Sequence, residues 1–429
     1  LPETRCGIGH VRYSTTGSSC VENAGPFVVG AWRGHYNTIA VAHNGNLING
    51  PNLREQLPNE FLQSTTDSEA IALLLLHAEG PTLRERMIAT FPLLRGAYSL
   101  VMLAEGKLYA MRDPWGMRPL CIGRMGESWI VASESCALDR VGATFVRKVE
   151  PGELITIDEN GMRSEILVRL PRQTLCVFEY IYFSDATTQL NGRYVYTVRE
   201  ALGRELAREH PVDADLVIPV PDSSIPAALG YAAESGIPYG QAIIKNRYSD
   251  RTFIKPDQRL RQLEVDLKFN MVKPKIDGMR LVVVDDSIVR GNTMKRLVAA
   301  LRHQGAKEIH LRSSSPPLRH PCYFGIDIPQ EEELIAAGRT VKEIAAYIGV
   351  DSLGYLSTVG LGRAIASARN GNVLDDAAAN TLLHNEFCYG CMDKQGWPFD
   401  PLTARTTPIP IKNLLESSRA LRGGSSHVM

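Results

Sequence analysis

Leu281-Val282-Val283-Val284-Asp285-Asp286-Ser287-Ile288-Val289-Arg290-Gly291-Asn292-Thr293 is the stretch that decides how this chain folds. Its opening apolar run is rich in β-branched residues, the pattern of a strand in a parallel sheet covered on both faces. Asp285 and Asp286 follow at the carboxyl end of that strand, where open α/β sheets bind their ligands. Gly291 permits a tight backbone, and beyond Thr293 the apolar residues Met294, Leu297, Val298 and Leu301 recur at helical spacing, with Gly305 placed to stop the helix. A helix opening there presents free N–H groups and the positive end of its dipole, which suits a phosphate. The loop is not a Walker A motif, because Gly-Lys-Ser/Thr is missing. Adjacent carboxylates would accept hydrogen bonds from two ribose hydroxyls and help hold a hard cation such as Mg²⁺. A strand followed by two acids is also compatible with a plain capped βα turn.

The whole string resembles the phosphoribosyltransferase signature for 5-phosphoribosyl 1-pyrophosphate (PRPP). Pro219-Val220-Pro221-Asp222-Ser223-Ser224, Lys245-Asn246-Arg247-Tyr248, Arg251-Thr252-Phe253 and Ser314-Ser315-Pro316-Pro317 narrow the likeness to the amidophosphoribosyltransferases, over about Gly7 to Cys391. That resemblance implies an enzyme forming 5-phosphoribosylamine and pyrophosphate from PRPP and glutamine-derived ammonia, the first committed step of purine synthesis. It implies PRPP contacts at Lys245, Arg247, Arg251, Lys268, Ser287, Arg290, Gly291 and Thr293, and Mg²⁺ held by Ser223, Asp285 and Asp286. Lys245 to Lys268 carries seven Lys or Arg against four acids. By itself this is a solvated loop; by resemblance part of it is a lid over PRPP that excludes water.

Composition agrees with a multidomain enzyme. At 429 residues the chain exceeds one typical core. Its 47 basic and 47 acidic residues argue against a nucleic-acid partner. No apolar run approaches the roughly 18 to 20 residues that cross a bilayer. The expected compartment is the cytoplasm, or an organelle if a transit peptide lay upstream.

To about Pro171 the chain reads as strands and hairpins with one clear helix, an α+β domain. Thr38 to Ala42 alternates into a His-Asn-Gly turn, Tyr98–Leu103 and Leu108–Arg112 flank a turn at Glu105-Gly106, and Trp129–Ala132 is a further strand. Thr66-Asp67-Ser68-Glu69 is a capping-box pattern that starts a helix near Asp67. Alone, Arg12 reads as a surface cation, Asn44-Gly45 as a hairpin turn and Asp67 as a helix N-terminal acid. In family order this half resembles an N-terminal-nucleophile (Ntn) glutaminase domain. Gly9 to Thr15 matches its substrate segment, so the resemblance assigns Arg12 to the glutamine carboxylate, Asp67 to its amino group, and Asn44 and Gly45 to the oxyanion hole.

The family's nucleophile is a cysteine at the mature N-terminus, whereas this sequence starts at Leu1. Cys6, three residues before the His10 segment, is expected to be a core residue. The first domain is therefore expected to be truncated and the chain to use ammonia only. Of eight cysteines, Cys388 and Cys391 form a C-x-x-C whose spacing suits zinc, a redox dithiol or iron. Cys176 precedes Glu179-Tyr180-Ile181-Tyr182-Phe183, and Cys322 lies in His320-Pro321-Cys322-Tyr323-Phe324-Gly325-Ile326-Asp327. Both contexts resemble the iron–sulfur subclass, which implies that the four thiolates hold a [4Fe–4S] cluster. Cys20, Cys121 and Cys136 are expected to be buried thiols.

The expected division is an Ntn domain over 1–171, an α/β type I phosphoribosyltransferase domain with a parallel sheet over 172–369, and a cluster-bearing tail over 370–429, with a short helix at Lys412–Leu421. Purine nucleotides as feedback inhibitors and a homotetramer are implied by resemblance. A silent PRPP or nucleotide sensor and an iron–sulfur redox or structural protein remain as other classes. A nucleobase phosphoribosyltransferase would leave the glutaminase-like first third unexplained.

Overall fold

Residues 5–12, 20–30, 38–57, 62–246, 269–371 and 373–406 are described by the computed structural model, without the side chains of 369 and 370. They divide into two units. One is drawn from Leu1–Cys176, Cys322–Asp327 and Trp397–Met429, the other from Val177–Pro321 and Ile328–Gly396.

In the first unit, β1 (Phe27–Val29), β2 (Ile39–Leu47), β3 (Gly96–Ala104) and β4 (Lys107–Arg112) pair antiparallel in chain order. β5 (Cys121–Met125) pairs with β6 (Ser128–Ala132) and β7 (Thr144–Lys148) in a smaller sheet, and β8 (Glu153–Asp158) and β9 (Gly161–Ile166) extend the first from β4. The predicted turn between β3 and β4 is present. Glu105 and Gly106 both have positive φ, 55° and 70°, which matches the right-handed twist of the flanking strands.

The helix predicted near Asp67 spans Asp67–His77, and Thr66 caps it by accepting the Glu69 N–H. The reciprocal half of the capping box is replaced, because the Glu69 carboxylate accepts from Gln63 N and Ser64 N instead. Ala70 to Leu75 are all buried. A helix apolar on every side must be a core helix, and this one packs with Val41, Leu100, Met102, Tyr109 and Leu154.

Several expectations need correction. His43-Asn44-Gly45 is not a turn, since β2 runs through it to Leu47 with Gly45 opposite Tyr98. Gly45 has φ +145°, and a Cβ there would lie 2.0 Å from the Ala97 carbonyl oxygen, so glycine is needed for close strand approach rather than for reversal. The unit holds more than one helix, with Gly50–Gln56, Leu83–Thr90 and Ser135–Arg140 also helical. These are too short for periodicity to mark them. Cys121 is buried, and burial pushes its thiol up to about 12. Cys20, by contrast, is exposed at the start of a 3₁₀ turn, and Cys6 and Cys136 are only half-buried. Lys412–Leu421 lies outside the described residues.

In the second unit β10 (Leu216–Pro219) lies outside an antiparallel pair, β11 (Ile243–Lys245) with β12 (Phe269–Met271). β10 leads a four-stranded parallel sheet in the order β10, β13 (Arg280–Asp285), β14 (Glu308–Ser313), β15 (Ser352–Tyr355). Leu281 to Val284 are all buried. Leu281 and Val283 share a core with Leu297, Val298 and Leu301 of the helix Asn292–His303 and with Ile344 and Ile348 of the helix Val341–Ile348. The helices Val195–Glu209 and Ile225–Ser235 pack together through glycine: a Cβ on Gly203 would lie 1.8 Å from Ala227 O, and one on Gly230 would lie 1.9 Å from Glu200 O.

Candidate active sites

At the carboxyl ends of β10 and β13 the second unit brings four predicted residues together. The Ser223 hydroxyl donates to Oδ2 of Asp286, the Ser287 hydroxyl donates to Oδ1 at 2.7 Å, and Oδ1 of Asp285 accepts the Asp286 N–H at 3.0 Å. Asp286 is buried while Asp285 is partly open. Burial pushes the Asp286 carboxyl up, against the opposing pull of the two serine hydroxyls and the Arg199 guanidinium. The next helix begins one residue after Gly291, whose φ of +76° favours glycine and whose added Cβ would meet the tip of Ile335, Cδ1, at 2.5 Å. Thr293 is in the first helical turn rather than before it, and is exposed with its neighbour Asn292. Lys245 Nζ lies 3.3 Å from Asp222, and Arg290 is paired with Glu333 at 2.8 Å. Arg247, Arg251 and Lys268 lie outside the described residues. Among those described, no three His, Cys, Asp or Glu side chains are grouped as a metal site. A cation at the Asp pair would therefore draw its other ligands from substrate oxygens and water, as Mg²⁺ commonly does.

In the first unit Asp67 lies beneath β2. Its Oδ2 accepts the Leu47 N–H at 2.7 Å, and His43 Nδ1 lies 3.7 Å from Oδ1. Burial opposes ionisation of this carboxyl, but His43 and the Leu47 N–H together outweigh it and hold Asp67 below the ordinary carboxylate range. Asn44 Nδ2 donates to Ser133 Oγ at 3.2 Å. Opposite Gly45, Tyr98 directs its N–H to the Asp113 carboxylate and its carbonyl to the Asp113 N–H. The alternation of antiparallel pairs then turns the Gly45 N–H away from β3, toward the outer edge of β2. Arg12 donates to Asn23 O at 2.8 Å, and Asn23 bonds through its side chain to Thr65, two residues before Asp67. Arg12 and Asp67 are thus tied to one short segment.

Cys176 and Cys322 belong to the first unit, Cys388 and Cys391 to the second. Cys322 Sγ accepts N–H bonds from Phe324 and Ile326, each 3.4 Å. Burial pushes this thiol up, while those N–H groups and Arg118 favour the thiolate. In the second unit the Cys391 carbonyl accepts the N–H groups of Arg319 and His320.

Two family descriptions match the chain: a glutamine amidotransferase domain over residues 30–140 and a phosphoribosyl transferase domain over 196–314. An amidophosphoribosyltransferase of Archaeoglobus fulgidus is 49% identical over 84% of this chain and 79% of its own length. The chain belongs to the amidophosphoribosyltransferase family. One of Bacillus subtilis is 46% identical over 82% of this chain and 74% of its own length. The solved Bacillus subtilis glutamine PRPP amidotransferase, complexed with ADP and GMP, superposes with a TM-score of 0.80 at 42% identity, covering 91% of this chain and 82% of that one. The first unit thus carries the Ntn glutaminase fold and the second the phosphoribosyltransferase fold. As a member of the family the protein is a pentosyltransferase, which makes 5-phosphoribosylamine and pyrophosphate from PRPP and glutamine-derived ammonia at the start of purine synthesis.

Sequence reasoning missed two residues in these candidate sites. Arg199 sits buried at 4% exposure and donates to Tyr180 O and Ser184 O. Its position on the apolar stripe of Val195, Val198 and Leu202 was the available signal. His43 opens the His-Asn-Gly run read as a turn, but nothing in the sequence marks its contact with Asp67.

Proposed function

We propose that the loop from Asp285 to Thr293 binds PRPP and that the residues around Gly45 bind glutamine. The observation that supports this best is the carboxylate pair at the end of a central parallel strand, oriented by Ser223 and Ser287 and followed at once by a helix N-terminus. The partly open Asp285 carboxylate, with Asp286 beside it, accepts the ribose hydroxyls, and the N–H groups after Gly291 bind phosphate. Ser287, Arg290, Thr293 and Lys245 complete the contacts, with Arg247, Arg251 and Lys268 as further cations. In the reaction, the ammonia lone pair forms the C–N bond at ribose C1 as the C1–O bond breaks, its electrons leaving with pyrophosphate, and the ammonium nitrogen then loses a proton. Mg²⁺ bound by Ser223, Asp285 and Asp286 would supply charge neutralisation of the departing pyrophosphate. In the glutamine site Arg12 binds the α-carboxylate, Asp67 the α-amino group, and Asn44 Nδ2 with the Gly45 N–H the developing oxyanion.

The remaining assignments are extensions of this reading. Residues 1–171, 172–369 and 370–429 serve as glutaminase domain, transferase domain and tail. Cys176, Cys322, Cys388 and Cys391 hold a [4Fe–4S] cluster, a reading supported by their sequence contexts and by the two N–H bonds to Cys322 Sγ. Purine nucleotides inhibit, as the ADP and GMP of the Bacillus subtilis complex suggest, and the enzyme works in the cytoplasm as a homotetramer. Iron and sulfide analysis of anaerobically purified protein tests the cluster: about four of each per chain is the composition of such a cluster, and colourless, iron-free protein would end the assignment. For the transferase site, Asp285→Asn with Asp286→Asn removes both negative charges at little change in shape and should lower Mg²⁺-dependent PRPP turnover at least ~100-fold. Turnover kept within a few-fold would sink the site.

A further inference from the structure

The oxyanion strand of the first unit is gripped from outside its sheet by a short turn that belongs to the same unit although its chain neighbours Pro321 and Ile328 belong to the other. Three contacts join them. Asn46 Nδ2 donates to Tyr323 O at 2.8 Å. Gly325, at φ +97°, presents its Cα so closely to the Gly45 peptide that a Cβ would lie 2.9 Å from Gly45 C and 3.0 Å from Gly45 O. Arg118, 1% exposed, donates to Gly325 O at 2.8 Å.

The turn is fixed in its own right. Cys322 Sγ accepts the N–H groups of Phe324 and Ile326, and the Phe324 ring packs edge-on against Phe399 and that of Tyr323 against Trp397. Arg118 is fixed from the opposite direction, because its carbonyl accepts Ser99 Oγ at 3.2 Å and Arg112 Nε at 2.7 Å, and Ser99 is the β3 partner of Asn44. The Gly45 peptide is therefore enclosed between Ala97 on its β3 side and Gly325 on its outer side.

We propose that Tyr323, Gly325, Arg118 and Asn46 act as positioning residues for the oxyanion site: by fixing the Gly45–Asn46 peptide they hold the Gly45 Cα, and with it the direction in which the preceding Asn44–Gly45 peptide points its N–H toward the glutamine side chain. This rests on the reading of Asn44 and Gly45 as the oxyanion donors. Such donors contribute only when they are held at the place where charge develops, and among the described residues the β1 pairing of β2 ends at Val41. The β3 ladder restrains one side of this stretch, and the turn restrains the outer side.

Glutamine is titrated into the full chain by calorimetry, with ammonia-dependent pyrophosphate release recorded in parallel. Asn46→Ala removes the bond to Tyr323, and Gly325→Ala places a methyl against the Gly45 carbonyl carbon. Each should weaken glutamine about fivefold, the ratio equivalent to one net hydrogen bond of ~1 kcal/mol. Ammonia-dependent release should stay within about twofold, as for a substitution remote from that chemistry. Asn44→Ala should weaken glutamine as well, and Asn44→Ala with Asn46→Ala should weaken it by less than the product of the single effects, which separates positioning from general packing. Unchanged binding in Asn44→Ala would overturn the reading of Asn44 as a contact to the glutamine side-chain carbonyl, on which this proposal rests. Weakened binding in Asn44→Ala, with Asn46→Ala like the parent chain, or with fully multiplicative effects, would overturn the positioning role alone. Should Gly325→Ala also lose the ammonia reaction, it has misfolded and Asn46→Ala decides.

Discussion

Asp113 supports β3, the strand paired with the oxyanion strand, and does so at an electrostatic cost. Fully buried, it accepts N–H bonds from Tyr98, Trp115 and Met117, so one carboxylate fixes both the end of β3 and the loop after β4. Burial pushes its carboxyl up from 3.8 to about 6, against the opposing Arg112 guanidinium and the N–H donors. Between those two values the unfolded chain has already released this proton while the folded chain still holds it, so the Asp113 contribution to stability falls as pH rises. The shift of about two units corresponds to about 3 kcal/mol, all of it lost above about pH 6. Asp113→Asn cannot titrate. The stability difference between the parent chain and this variant, followed by denaturant unfolding from pH 4 to pH 7, should therefore move by about 3 kcal/mol in favour of the variant. A difference that stays constant over that range would contradict the assignment.

At the scale of elements, what could be read in the sequence depended on whether local chemistry and tertiary contact pointed the same way. The strand into Asp285-Asp286 and the helix from Asn292 were legible because the apolar run, the acids and Gly291 each have a local meaning that the fold keeps. Asn44-Gly45 was misread because the same dipeptide favours hairpin turns, while the reason for glycine here is the Ala97 carbonyl on a strand some fifty residues away, which no local pattern encodes. The contact of Gly325 with Gly45 was equally silent. The two kinds of feature should differ in energy. Thr66→Ala removes one cap from the core helix and should cost about 1 kcal/mol. Gly203→Ala drives a methyl into the Ala227 backbone, where nothing flexible can yield, and should cost about 3 kcal/mol or more. Thermal unfolding of the two variants side by side checks the order, and equal losses would show that the glycine contact relaxes.

For the molecule as a whole, two chemistries are carried by two units whose sites are built on different logic. The transferase site is a sheet-end loop whose ligands are recognisable one by one, and so it was legible from thirteen consecutive residues. The proposed glutamine site gathers Arg12, Asn44, Gly45 and Asp67 from three separated stretches, which only the family resemblance linked beforehand, and the Tyr323–Gly325 turn from a fourth, which nothing in the sequence linked to them. The central claim is that Asp285, Asp286 and the loop to Thr293 perform phosphoribosyl transfer, and pyrophosphate release from PRPP and Mg²⁺ with ammonia supplied directly tests it apart from glutamine chemistry. Release that depends on ammonia and Mg²⁺, and stops when PRPP is omitted, is the predicted result. PRPP bound by the folded chain but not turned over with ammonia would contradict it.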